Sequence, residues 1–288
     1  MSNYPTSLKE ALLAYGVAPT WNVEWDKGVL ALMKANKKEE ADACIALSKV
    51  VTKAVTDIER ARVYYQDLSN PAVYAAHSRY VIWIANNIVL APQRRKFDID
   101  DNNRDVLQFL LYYFNDCPLA ENVFPDRNYK LHKNLLLNGA AGVGKTMLMQ
   151  IFSEYLKRTN NPRHFHNVSV TQMVNFHSIH NNIDKYTYNE KESKGFQGNP
   201  VNLCLNDIGV ENRPFYGIDT NTVVSDFLHA RNEIWTNFSE YDRKFAHLTT
   251  NLSVEQLKKE FSQKDSFGRI IDRFKTYNVI PLEGKSRR

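Results

Sequence analysis

The run Gly139-Ala140-Ala141-Gly142-Val143-Gly144-Lys145-Thr146 fits the spacing G-x-x-x-x-G-K-[ST]. Glycines in such a run let the chain turn tightly enough for successive backbone N–H groups to face one anion, and the helix that follows adds the positive end of its dipole. Lys145 is then placed to neutralise the outer phosphates of a nucleotide, and Thr146 to offer its hydroxyl to Mg2+, with Met147 opening the helix beside them. A strand-to-helix turn that binds nothing shares the glycines of this pattern, but it has no need of the Lys-Thr pair. Apolar residues 135–137 before the loop and a helical pattern over 147–156 after it supply the strand-loop-helix setting that phosphate binding requires.

Phosphoryl chemistry on such a loop also needs a carboxylate at the end of a neighbouring strand, to serve the metal and orient the attacking water. Residues 201–205 read as that strand and run into Asn206-Asp207. The expected Mg2+ set is therefore Thr146, Asn206 and Asp207, with Asn206 standing where an Asp is usual. An amide carries no charge, so metal binding should weaken and hydrolysis slow unless Asp207 or Glu211 compensates. Three outcomes stay open: Asp207 suffices and the protein is a slow ATP hydrolase, the protein is mainly an ATP-binding switch, or Asp207 itself takes the metal position in a shifted register.

Around these residues, 288 positions allow about two domains at roughly 150 residues each. Of the 11 glycines only Gly16 and Gly28 precede Gly139, and residues 8–15, 25–37, 39–67 and 71–90 carry apolar side chains at three- and four-residue spacing, so the first half reads as helical. Pro92 and the bases Arg94, Arg95 and Lys96 interrupt that pattern, which places a boundary near 95: a helical partner-docking domain over 1–95 and a phosphate-loop domain over 96–288. Beyond the boundary, after a helix at about 103–116, β-type runs at 135–137, 164–170, 201–205, 245–249 and 279–282 alternate with helical patterns, as in a parallel α/β sheet.

The composition narrows the classes further. A 43% hydrophobic, 24% charged chain is globular rather than disordered, and no apolar run nears the roughly 18–20 residues that cross a bilayer, so no membrane role and a cytoplasmic location are expected. A net charge of +5 permits a polyanionic partner without requiring one. Cys44, Cys117 and Cys204 lack disulfide or zinc spacing and read as inert thiols. His164 and His166 share a strand face, yet no cysteine pair or carboxylate cluster completes a zinc site, so they read as polar surface residues. Trp21, Trp25 and Trp83 read as core.

With the phosphate loop, Leu203-Cys204-Leu205-Asn206-Asp207-Ile208-Gly209-Val210-Glu211, Thr249-Thr250-Asn251-Leu252 and Phe267-Gly268-Arg269-Ile270-Ile271-Asp272-Arg273 in that order, residues 98–284 resemble AAA+ ATPases, and among them the DnaC/IstB group of helicase loaders and transposition regulators. The resemblance implies a P-loop AAA+ fold: a parallel five-stranded sheet flanked by helices, preceded here by a small all-helical domain. Because the chain ends soon after the last strand, no C-terminal lid domain is expected. ATP and Mg2+ are the implied ligands. Asn251 would be the polar sensor of the γ-phosphate, although an asparagine there could instead cap the helix after Ser253. Arg273 would enter a neighbouring subunit's site as an arginine finger with Arg269 close by, a surface ion pair being the plainer role for each. Arg231 is a further candidate to reach across an interface.

A site completed by a neighbour implies a homo-oligomer, either a ring or a helical filament. The resemblance also places a single-stranded DNA contact in the segment after the second strand, here residues 171–182 with Lys185, Tyr186, Thr187, Tyr188 and Lys191. An ordinary loop with its tyrosines packed on the sheet is the alternative. The expected function is an ATP-dependent replication accessory ATPase that loads or regulates a replicative helicase. The competing readings are a regulator of transposition that binds duplex DNA and recruits a transposase, an ATP-binding scaffold with negligible hydrolysis, and a small-molecule kinase. The kinase reading is disfavoured because no arginine-rich lid follows residues 195–200. A bacterial cell, a phage or a mobile element would each suit such a protein.

Overall fold

The computed structural model describes residues 6–20, 22–64, 67–190, 198–209, 219–238, 243–262 and 269–287. Two compact units emerge, Met1–Val63 and Tyr64–Arg288. In the first, helices α1 (Thr6–Ala14), α2 (Val23–Lys34) and α3 (Lys38–Tyr64) follow the predicted apolar spacing. Asn22 starts α2 by accepting from the backbone N–H groups of Glu24 and Trp25 at 3.0 and 3.1 Å. Leu8, Leu12, Val17, Val29 and Leu30 form its small core, with Trp25 packed against it.

The second unit begins earlier than the boundary expected near 95, for a reason that lies in packing. Asn70 and Pro71 open α4 (Pro71–Ile84), with the Asn70 side chain accepting from Ala72 N–H at 2.9 Å. Val81, Ile84 and Ala85 then join one buried cluster with Phe109, Phe114, Phe152 and Tyr155 of the α/β layer. Trp83 lies on the opposite face of α4, 48% exposed and stacked on Tyr80, so it is not the core residue expected. The rest of the unit comprises α5 (Arg104–Phe114), α6 (Ala120–Val123), β1 (Asn134–Asn138), α7 (Lys145–Arg158), β2 (His166–Ser169), α8 (Val170–His180), β3 (Leu203–Ile208), α9 (Thr220–Asn237), β4 (Ala246–Thr250), α10 (Val254–Ser262), α11 (Arg269–Arg273) and β5 (Tyr277–Pro281). Strand β2 stops short of 170 because Ser169 and Gln172 close a reciprocal cap on α8.

All pairings in the sheet are parallel, in the order β2-β3-β4-β1-β5. Both faces are covered, which is why β1 and β4 read as buried without alternation. One face carries the cluster just described, and the other packs Leu203, Leu205 and Leu248 on Val174, Val224, Phe227 and Leu257. This order sets β1, β4 and β3 side by side, so the loops at their carboxyl ends converge on one edge of the sheet, where open α/β sheets bind ligands. Among the described residues, no helix is long and apolar enough to cross a membrane.

Candidate nucleotide site

The phosphate loop leaves β1 at Gly139 and enters α7 at Lys145. Its shape is dictated by close approach. A Cβ at Gly139 would fall 2.1 Å from the Leu282 carbonyl oxygen, and Gly144 has φ +107 just ahead of the helix. Val143 is buried and pins the middle of the loop to the core. Lys145 as a residue is only 4% exposed, and its ammonium donates to the carbonyl oxygens of Gly139 and Ala140 at 2.7 and 2.9 Å and to Asn251 Oδ1 at 2.8 Å.

Asn251 follows β4, and its contact with Lys145 ties the ends of two adjacent strands together. The cap of α10 is made by others. Ser253 Oγ accepts from Gln256 N–H at 3.2 Å, and Gln256 Oε1 accepts from Ser253 N–H at 2.8 Å. Asn251 is thus oriented toward the loop.

The end of β3 sets Asn206 and Asp207 in different surroundings. Leu205 pairs with Leu248 and Ile208 with Thr250, so Asn206 and Asp207 together stand opposite Thr249. This is a β-bulge, and Asp207 carries its left-handed turn at φ +64. Thr249 Oγ1 holds the bulge from below, accepting from Asp207 N–H at 3.0 Å and donating to Asn206 Oδ1 at 3.2 Å. The Asn206 amide is buried and donates to Asn167 Oδ1 at 3.2 Å and to the Val168 carbonyl at 3.4 Å. The shifted register therefore turns Asp207 toward the loop and Asn206 toward β2. Asn206 as a metal ligand is corrected on this ground: its side chain serves the sheet. Glu211, the other carboxylate expected to compensate, lies outside the described residues.

Lys145, Thr146, Asp207 and Asn251 line a single cavity of about 380 Å³ together with Gly142, Gly144 and Met147. Three side chains that sequence reasoning did not place there, Gln93, Arg95 and Arg287, complete its wall. Thr146 and Asp207 bring a hydroxyl and a carboxylate to one space, the hard oxygen donors that Mg2+ takes beside phosphate oxygens, so the residues present fit that ion. Among the described residues no group of three or more His, Cys, Asp or Glu could hold a metal on its own. His164 and His166 meet edge to face at 5.1 Å and take no part.

The remaining candidates fall elsewhere. Arg269 and Arg273 share α11, where Arg273 Nη1 donates to the Arg269 carbonyl at 3.0 Å, and neither belongs to the described lining of the chain's own cavity. Arg231 is 1% exposed, and Nη2 donates to the carbonyl oxygens of Val201 and Phe245 at 3.0 and 2.8 Å, fastening α9 to the amino ends of β3 and β4. Burial lowers its pKa to about 10. It does not reach an interface, and the expectation that it would is corrected. Tyr186 packs edge to face on Phe176 at 5.4 Å, the Tyr188 hydroxyl donates to the Glu233 carboxylate, and Lys185 Nζ lies 5.7 Å from the Phe176 ring. These contacts hold the two tyrosines against Phe176 of α8 and Glu233 of α9. Trp21, Lys191, Phe267 and Gly268 lie outside the described residues.

Sheet order and site together define an α/β fold with a phosphate loop between β1 and α7. No protein-family model and no curated protein matches the chain. Among solved structures, DnaI is similar at 20% identity over 65% of this chain and 88% of that one, with a TM-score of 0.42. AMPPCP-bound DnaA from Aquifex aeolicus is similar at 17% identity over 65% and 48%, with a TM-score of 0.39. A DnaA structure with AMPPCP and single-stranded DNA gives 15% identity over 66% and 49%, with a TM-score of 0.40.

Proposed function

We propose that this protein is an ATP-binding and ATP-hydrolysing P-loop ATPase of DNA replication that loads or regulates a replicative helicase, contacts single-stranded DNA and assembles through ATP. The observation that carries the nucleotide part is the bulge that turns Asp207 into one cavity with Lys145, Thr146 and Asn251. In this reading the loop N–H groups and Lys145 bind the phosphates, and Thr146 and Asp207 hold Mg2+, which when bound offsets phosphate charge. Asn251 orients a water near the γ-phosphate. Arg273, with Arg269 behind it, stands outside its own cavity and serves the site of the next copy, so activity requires a ring or filament. The helicase and DNA parts rest on the family resemblance of residues 98–284.

A second reading, an ATP-gated scaffold with negligible turnover, gains from the fact that Asp207 is the one carboxylate among the described residues of the cavity wall. One experiment addresses both: ATP turnover with and without single- and double-stranded DNA, beside Lys145→Ala and Arg273→Ala, with mass followed by light scattering. Turnover and assembly that need ATP and both residues support the motor. Assembly without hydrolysis supports the scaffold, assembly on duplex DNA alone favours the transposition regulator, and failure to bind ATP ends both readings.

A further inference from the structure

The segment after β5 crosses the phosphate loop. Leu282 is buried in the same cluster as Val143. Arg287 N–H donates to the Gly142 carbonyl at 2.9 Å, and a Cβ added to Gly142 would collide with Ser286. The Arg287 side chain is 16% exposed and passes under residues 98–100, where Nη2 pairs with Asp100 Oδ2 at 2.5 Å and Nη1 donates to the Asp98 carbonyl at 3.3 Å. A second cavity of about 490 Å³, walled in part by Leu90, Phe97 and Asn102, shares Arg95, Met147 and Arg287 with the cavity of the phosphate loop. Arg287 therefore stands where the two spaces join.

Charge gives this position a meaning. The phosphate cavity presents three cationic side chains, Arg95, Lys145 and Arg287, against Asp207. A planar guanidinium held at the mouth of that cavity, with its backbone fixed to the loop itself, matches phosphate oxygens in geometry as well as charge. We infer that Arg287 is a phosphate-contacting residue of the nucleotide site, exchanging Asp100 for a phosphate of the bound nucleoside triphosphate. This rests on the ATP-binding reading above. Asp100 is then a competitor of the ligand: it holds the guanidinium near the loop, and phosphate oxygens take its place.

Titration calorimetry of the full chain with Mg·ATP tests the assignment, using wild type, R287A, R287K, D100N and K145A, with thermal melts to show that each is folded. Loss of one charge-assisted contact should raise the Kd of R287A about tenfold, with R287K in between. D100N keeps the oxygen that accepts from Asn102 and Asn103 N–H at 3.0 and 3.1 Å but removes the competing charge, so it should bind ATP as tightly as wild type or more tightly. If the pair merely straps the chain down, R287A and D100N break the same bridge and weaken binding alike, which overturns the inference. An unchanged Kd in R287A, with binding lost in K145A, overturns it while leaving the ATP site standing. A wild type that binds no ATP overturns both.

Discussion

Replacing Asn206 with Asp restores the residue usual at that position, and by sequence logic it should strengthen metal binding and raise turnover. The geometry forecasts the opposite. The Asn206 amide donates to Asn167 Oδ1 and the Val168 carbonyl from a buried position. A carboxylate there faces those acceptors with no proton, and each buried group left unpaired costs about 1–3 kcal/mol. Protonation limits the charge penalty, since holding a group of ordinary pKa 3.9 neutral at pH 7 costs about 4 kcal/mol. Asn206→Asp should therefore lower unfolding free energy by about 3–5 kcal/mol at pH 7. The sign with pH follows: the buried carboxyl has its pKa raised, so the deficit against wild type is full above that raised pKa and should shrink by about 1.4 kcal/mol per unit as pH falls from it toward 3.9. Urea denaturation at pH 7 and 5 reads the stability, and phosphate release reads turnover, which should not rise. A variant as stable as wild type that hydrolyses ATP many times faster would refute the bulge as the account of this strand end.

Asp207→Asn should keep ATP binding within a few-fold while lowering turnover by about 10²-fold or more, as expected for a lost charge at a phosphoryl-transfer site, checked by single-turnover assays. Arg231→Ala should cost about 3 kcal/mol or more through an emptied core position and the lost partner of the Val201 carbonyl oxygen, the Phe245 carbonyl keeping Leu203 N–H at 3.1 Å, seen as a lower denaturation midpoint. His247 is fully buried among Phe114, Phe165 and Phe245, its Nδ1 accepts from Leu135 N–H at 3.1 Å, and burial lowers its pKa to about 3. The unfolded chain protonates it near the ordinary 6.5, so its stabilising contribution is full above that pH and falls by about 1.4 kcal/mol per unit below it. Between pH 7 and 5 the stability gap between wild type and His247→Leu should change accordingly, and the folded protein's His247 signals should not titrate by NMR above pH 5.

What could be read from the chain beforehand was local. The phosphate loop is contiguous, the strands are short apolar runs, and both follow from neighbouring residues. The bulge is another matter. A left-handed Asp207 is held by Thr249 from a strand far along the chain, and no pattern within residues 203–208 announces it. Residues 64–95 look like the helices before them, yet only the packed structure shows Val81 and Ile84 joining the aromatic cluster of the sheet. Arg95 stood out as part of a basic run and nothing in the sequence marked Arg287; their meeting at one cavity depends on β5 lying beside β1. Arg231 misleads because arginine is seldom buried, and the two carbonyl oxygens that make it tolerable belong to the starts of two different strands.

In the proposed nucleotide site, the bond between Lys145 and Asn251 has a kinetic meaning. An amide oxygen that already accepts from the ammonium is a weaker acceptor for the water that would attack. A γ-phosphate that draws Lys145 toward itself releases Asn251, so the group that would position the nucleophile is freed by arrival of the bond to be cleaved. Under the proposed function, such an interlock would make readiness for hydrolysis a consequence of occupancy, and after phosphate departs the lysine would return and shut the site again.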